Sequence, residues 1–180
     1  MGTLFWIFAA VWLLLQIGIP HISKTYGPAV KARFVERPKT TQPPGVPTKP
    51  ITAASLAAWI DANPASAAGY ASPVLFPLDF IFMFALSGAL GLGSVWAASC
   101  VTWASVVPWW VWWLFPLAYL LADFVEDVLL VDFLRNPGRL NPVSFGRLSW
   151  ATKLKICLVV VAMLLFGALA ASALIKVYLV

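Results

Sequence analysis

Apolar residues fall into four long runs, and polar residues gather in the stretches between them. A helix rises about 1.5 Å per residue, so about 20 apolar residues cross the roughly 30 Å hydrocarbon layer of a bilayer. The runs predict four spans, at residues 1–20, 74–101, 106–131 and 153–177, with loops at 21–73 and 132–152. The first run holds "TLFWIFAAVWLLLQIGI". No Lys or Arg precedes Leu4, and "QIGIPHIS" is a poor cleavage site, so an uncleaved span is expected rather than a signal peptide. The predicted fold class is an all-α membrane protein: an antiparallel four-helix transmembrane bundle with short interfacial helices in the first loop.

Two kinds of sequence share that first loop. "ERPKTTQPPGVPTKP" is rich in Pro and Lys and reads as an extended spacer. In "TAASLAAWIDANPASAAGYASP", Thr52 or Ser55 can cap a short helix, and Leu56, Trp59 and Ile60 then share one face. Asn63-Pro64 stops that helix, a second short one can begin at Pro64, and both are expected to lie on the membrane surface. The loop at 132–152 has turn chemistry at Asn136-Pro137-Gly138 and Asn141-Pro142. In the second span, Ser87 with Gly91 and Ala89 with Gly93 are small-xxx-small pairs that permit close helix packing, and Gly167 to Ala173 offers a second such face.

Composition agrees with the spans. Of 180 residues, 62% are hydrophobic and 11% charged, with a mean hydropathy of +0.89; soluble domains run near 45–50% apolar and about 25% charged. The net charge of +5 would suggest nucleic acid in a soluble protein. Here the basic residues flank apolar runs, so no nucleic-acid partner is expected. Lys24, Lys31, Arg33, Arg37, Lys39 and Lys49 lie in the first loop. Arg135, Arg139, Arg147, Lys153 and Lys155 lie around the second, and the opposite side has only Lys176. The positive-inside rule then predicts cytoplasmic loops and both termini outside. Trp96, Trp103, Trp109, Trp110, Trp112 and Trp113 would form an interfacial belt at the outer end, or else a stacking surface for a pigment, quinone or lipid ring. No cofactor is named by this, and haem is disfavoured because His21 is the only His and closes a span. Cys100 and Cys157, near opposite faces, are expected to be buried thiols.

The chemistry lies in the third span. Asp123, Glu126 and Asp127 are spaced i, i+3 and i+4 on one helical stripe, with Tyr119 one turn earlier and Pro116 a candidate kink above it. By helical rise Glu126 sits about 7 Å and Asp123 about 12 Å inside the cytoplasmic end, and Asp79 about 7 Å inside its own. Such acids avoid lipid, so they should turn inward and pair with each other, with Lys153 or Lys155, or with His21. Asp127 and Asp132, nearer the end, can be solvated. At least one of Asp79, Asp123 and Glu126 should be protonated or neutralised by a Lys or a cation. The site set is therefore Asp79, Tyr119, Asp123, Glu126 and Lys153. It reads as an interhelical polar clamp, a proton or cation site, a hard-metal site, or an acid–base pair acting on lipid. A metal site is not assigned, because one His and no ExxH spacing are present. No nucleophile constellation or phosphate loop is present, so no catalytic residue is named.

The segments "AAWIDANPASAAGYASPVLFPLDFIFMFALSGAL", "LFPLAYLLADFVEDVLL" and "TKLKICLVVVAMLLFGAL" together resemble a group of small bacterial four-span integral membrane proteins with no assigned activity. The matching positions are Tyr70, Asp79, Asp123, Glu126 and Lys153, with Asp127 where that group has Asn. The resemblance covers about the last two thirds of the chain and implies an architecture and a bacterial inner-membrane location, not a function. The function expected is a non-enzymatic structural or accessory subunit of a larger membrane assembly. Its partners would be the lipid bilayer and a protein partner or further copies. The alternative is a proton- or cation-coupled transporter or channel using Asp79, Asp123 and Glu126.

Overall fold

A computed structural model of the chain describes residues 2–26, 30–36 and 52–179, and every regular element among them is helical. α1 (Gly2–Ser23) runs into a 3-10 turn ending at Tyr26, and a π-helical stretch covers Lys31–Glu36. Two short helices follow, α2 (Ala53–Ala62) and α3 (Pro64–Gly69), then a broken segment, Tyr70–Asp79, that leads into α4 (Phe80–Ser99). A 3-10 turn at Trp109–Trp113 opens α5 (Leu114–Arg135), and α6 (Pro142–Leu179) completes the fold. The proline-rich spacer, from residue 37 onward, lies outside the described residues.

Among the described residues three helical stretches are long and apolar enough to cross a membrane: Gly2–Tyr26, Pro64–Ser99 and Pro142–Lys176. The protein is therefore all-helical and membrane-embedded. α5 is long enough, but five charged residues, Asp123, Glu126, Asp127, Asp132 and Arg135, keep it out of that class.

Local sequence explains most helix ends. Thr52 caps α2: its Oγ1 accepts from the Ser55 N–H at 3.2 Å, and Ser55 Oγ accepts from the Thr52 N–H at 2.9 Å. Asn141 caps α6 by accepting from the N–H groups of Val143 and Ser144, at 3.0 and 2.9 Å, with Pro142 as the first helical residue. α6 thus starts eleven residues before the span expected at 153, and most of the loop expected at 132–152 is helical. The second span also starts differently. Ser72 and Phe76, each before a proline, leave the helical region (ψ 117° and 118°), because a proline ring crowds the residue before it. Regular helix begins only at Phe80. Pro116 lies in the first turn of α5, where no helical hydrogen bond is lost, so it marks a helix start and not a kink.

α4 is the central helix. It packs against α1, α5 and α6, and α5 packs along α6. Its small residues admit large neighbours. A Cβ at Gly88 would press on the Phe8 ring, one at Gly91 on Trp113, and one at Gly93 on Phe5 and Phe166. The small-residue face therefore receives aromatic rings as well as helix backbone. Ser87 joins α4 to α5 by donating to the Pro116 carbonyl at 2.8 Å. At one end Trp112 is buried with Ala97, Ala98, Leu169 and Ala173, whereas Trp96, Trp103, Trp109 and Trp110 are exposed. Neither Cys100, half-buried, nor Cys157, exposed, is the fully buried thiol expected, and both are free. At the other end Val30, Phe34 and Val35 pack with Leu56, Ile60, Tyr70, Val74, Leu130, Phe133 and Leu148. The apolar faces of the loop helices thus turn onto the ends of α5 and α6. α1 leaves Trp6, Leu14 and Ile17 about 70% exposed, as suits a helix with lipid for solvent.

Candidate functional site

Between the loop cap and the apolar bundle lies a closed cluster of charges. α5 contributes Tyr119, Asp123, Glu126 and Asp127, all buried on the stripe that its i, i+3, i+4 spacing defines. Asp79 comes from the broken segment just before α4. Thr152 and Lys155, both buried, come from α6. Lys31 and Glu36 come from the π-helical stretch, where Val30, Phe34 and Val35 are anchored in the apolar cap and so direct Lys31 inward.

Lys31 is the hub. Its Nζ pairs closely with Asp79 Oδ2 and Asp127 Oδ1, and lies 3.5 Å from Asp123 Oδ1 and 3.6 Å from Glu126 Oε2. Its backbone N–H donates to Tyr70 Oη at 3.4 Å. Lys155 Nζ pairs closely with Glu126 Oε2 and lies 3.1 Å from both Asp123 Oδ1 and Glu36 Oε1. Tyr119 Oη donates to Asp123 Oδ2 at 2.8 Å, and Thr152 Oγ1 donates to Glu126 Oε1 at 2.5 Å. Burial by itself disfavours the Lys31 charge. Asp79, Asp127, Asp123 and Glu126 outweigh it and hold the Lys31 pKa well above that of an ordinary lysine.

Carboxylate oxygens of Asp123, Glu126 and Asp127 lie within 4.8 Å of one another, a spacing compatible with a hard cation. The Lys31 ammonium, within 3.6 Å of all three residues, stands where such an ion would. Both Asp127 oxygens lack a well-aligned hydrogen-bond donor among the described residues, so the Lys31 contact is an ion pair by distance alone. Two small grooves reach the cluster. One, of about 380 Å3, meets Asp127 between Phe76, Phe80, Phe124 and Val128; the other, of about 170 Å3, meets Asp79 beside Gln16 of α1.

Of the residues expected from sequence, Asp79, Tyr119, Asp123 and Glu126 come together here. Lys153 does not: it is exposed, and Lys155 holds the place instead. Two residues turn a helix by roughly 200°, so these lysines point to nearly opposite faces. Asp127 is buried, not solvated, because Lys31 meets it inside the protein. His21 is exposed on α1. Lys31, Glu36 and Thr152 were missed. A signal for Lys31 did exist: in "VKARFVE" the apolar Val30, Phe34 and Val35 fall at helical spacing, and Lys31 lies one turn from both Phe34 and Val35.

No protein-family model, no curated protein and no solved structure matches this chain.

Proposed function

We propose that the chain is a four-span integral membrane protein of a bacterial inner membrane, of the small four-span kind its sequence resembles, acting as a non-enzymatic structural or accessory subunit. In this reading α5 is the fourth span. It crosses the bilayer because its acids face Lys31 and Lys155 and not lipid, and α2 and α3 lie at the cytoplasmic surface. Both termini are outside, with the exposed Lys24, Arg135, Arg139, Arg147 and Lys153 at the cytoplasmic end and Lys176 at the other.

One observation carries the structural role: Lys31, from the first long loop, bridges Asp79, just before α4, to Asp123 and Asp127 of α5, while Lys155 ties Asp123 and Glu126 of α5 to α6. A lysine used in this way fastens loop and bundle into one body. Beyond the cluster, the opposite half packs alanine, valine and a tryptophan, with no matching set of charges among the described residues. The free apolar face of α1 is then available to lipid or to a partner helix.

A second reading rests on a separate observation. Five buried or half-buried carboxylates, Glu36 included, face only two ammonium groups, so a fully ionised cluster is negative in a low-dielectric site and favours taking up a proton or a cation. Gentle extraction followed by native mass spectrometry separates the two. Stoichiometric recovery within a larger assembly, disrupted by Asp123→Asn or Glu126→Gln, supports the structural role. Recovery alone, with those variants folded but without an ion-dependent flux that the parent displays in vesicles, overturns it in favour of transport.

A further inference from the structure

The seam between α5 and α6 carries a groove of about 820 Å3, lined by residues of these two helices. Its floor is small: Ala122 and Ala151, both buried. Its walls are Leu121, Val125 and Leu154, all exposed, with Leu158 further along. Alanines let the two helices approach while the branched side chains beside them stand outward, which makes a furrow. It spans residues 118 to 129 of α5 and 147 to 158 of α6. Eleven residue steps on either helix amount to about 16 Å, and one leaflet of hydrocarbon is about 15 Å, half of the roughly 30 Å core.

One end of the furrow is polar. Arg147 and Trp150 line it there, both exposed, and the Arg147 guanidinium has no hydrogen bond or ion pair to any described residue. They lie in the first turns of α6, next to the Asn141 cap, at the end of the protein that carries Arg135, Arg139 and Lys153. Arginine presents a planar fork of donors suited to a phosphate, and tryptophan favours the headgroup level. The furrow therefore has a lipid's own layout: an apolar trough one leaflet long, ending at a free cation and an indole.

We propose that this furrow is a binding site for one membrane phospholipid, with an acyl chain along Leu121, Val125, Leu154 and Leu158 and its phosphate on Arg147. A second copy of the chain fits less well. Its acids are engaged in the buried cluster or with Arg139, and among the described residues only Asp61 is exposed and without an ion-pair partner to offer Arg147. The proposal rests on membrane embedding and not on the accessory role or on the charge cluster.

The test is retention of phospholipid. The full chain is extracted in mild detergent, stripped of bulk lipid, and titrated with phosphatidylglycerol or with diacylglycerol, which lacks the phosphate; bound lipid is counted by native mass spectrometry. One phosphatidylglycerol per chain is expected to persist and diacylglycerol to be lost. Arg147→Gln should weaken retention by about tenfold or more, the usual value of a charge-assisted hydrogen bond. Val125→Trp, on an exposed wall where a larger ring is tolerated by the fold, should also displace the lipid. Arg135→Gln, a cation of the same end that does not line the furrow, should change nothing. Unchanged retention in Arg147→Gln and Val125→Trp, equal loss in Arg135→Gln, or a protein chain bound there in place of lipid would each overturn the proposal. Because the readout is lipid per chain, it stands or falls separately from recovery within an assembly. Melting curves of each variant guard against misfolding.

Discussion

Replacing Lys31 with Met keeps most of the side chain's length and removes its charge, leaving Lys155 as the only ammonium among the cluster's five carboxylates. Removing one partner from a buried ion-pair set costs about 3–5 kcal/mol. In a membrane the unfolded reference also finds partners, and single polar contacts are worth only about 0.6–2 kcal/mol. Lys31 makes two close pairs and two longer ones, so a loss near the lower bound, about 3 kcal/mol, is expected. For a chain of this size 1 kcal/mol moves the melting temperature by about 2–4 °C, which gives a drop of about 6–12 °C. The assay is thermal unfolding in mild detergent followed by the fluorescence of the 10 tryptophans. Lys153→Met removes the same charge from an exposed site and should cost less than about 0.5 kcal/mol. The pH dependence has a definite sign. The Lys31 pKa in the folded protein is raised above the ordinary 10.5, so its contribution is fully present below that value and is lost only as pH rises through the higher folded value. The gap between parent and Lys31→Met should therefore hold between neutral pH and about 10.5 and narrow above it. Equal losses in the two methionine variants, or a gap that closes already at neutral pH, would refute the assignment of Lys31 as the hub.

Gly91→Leu should destabilise by about 1–3 kcal/mol, because its Cβ would run into the Trp113 ring. Gly18→Leu, where a Cβ meets nothing, is the control, and melting temperature with Trp emission reports both. Asn141→Ala removes the cap of α6 and should cost about 1 kcal/mol, with faster amide exchange at Val143 and Ser144; Asn141→Asp should restore both.

The helical character was legible because long apolar runs admit little else, and so was the convergence of Asp79, Tyr119, Asp123 and Glu126, since i, i+4, i+7 spacing puts Tyr119, Asp123 and Glu126 on one stripe. The choice between Lys153 and Lys155 was not legible. It depends on the rotation of α6, which is set by how Thr152 and Leu148 pack against α5 and the loop cap, so no count along the sequence could decide it. Lys31 was hidden for another reason. As a basic residue near a span end it satisfied the positive-inside pattern, and that sufficient explanation masked the short apolar repeat beside it. Asp127 followed the same error, because its partner was assigned to the aqueous side. The early start of α6 was also obscured: Asn141-Pro142 reads equally as a turn or as a cap and first helical residue.

The pairing of α5 with both an earlier and a later segment bears on how the chain is made. An aspartate at the centre of a lone helix costs roughly 2.5–3.5 kcal/mol to insert, and α5 carries three neighbouring acids. Lys31 is synthesised before α5, but Thr152 and Lys155 arrive only with α6. In the proposed four-span reading, α5 would wait during translation at the translocon or beside α4 with half its counter-charges missing, and would settle into the bilayer only when α6 follows. On the same reading, a chain stopped between the two would leave Glu126 without Thr152 and Lys155. On that reading the acids are hidden in a finished molecule and displayed by a truncated one.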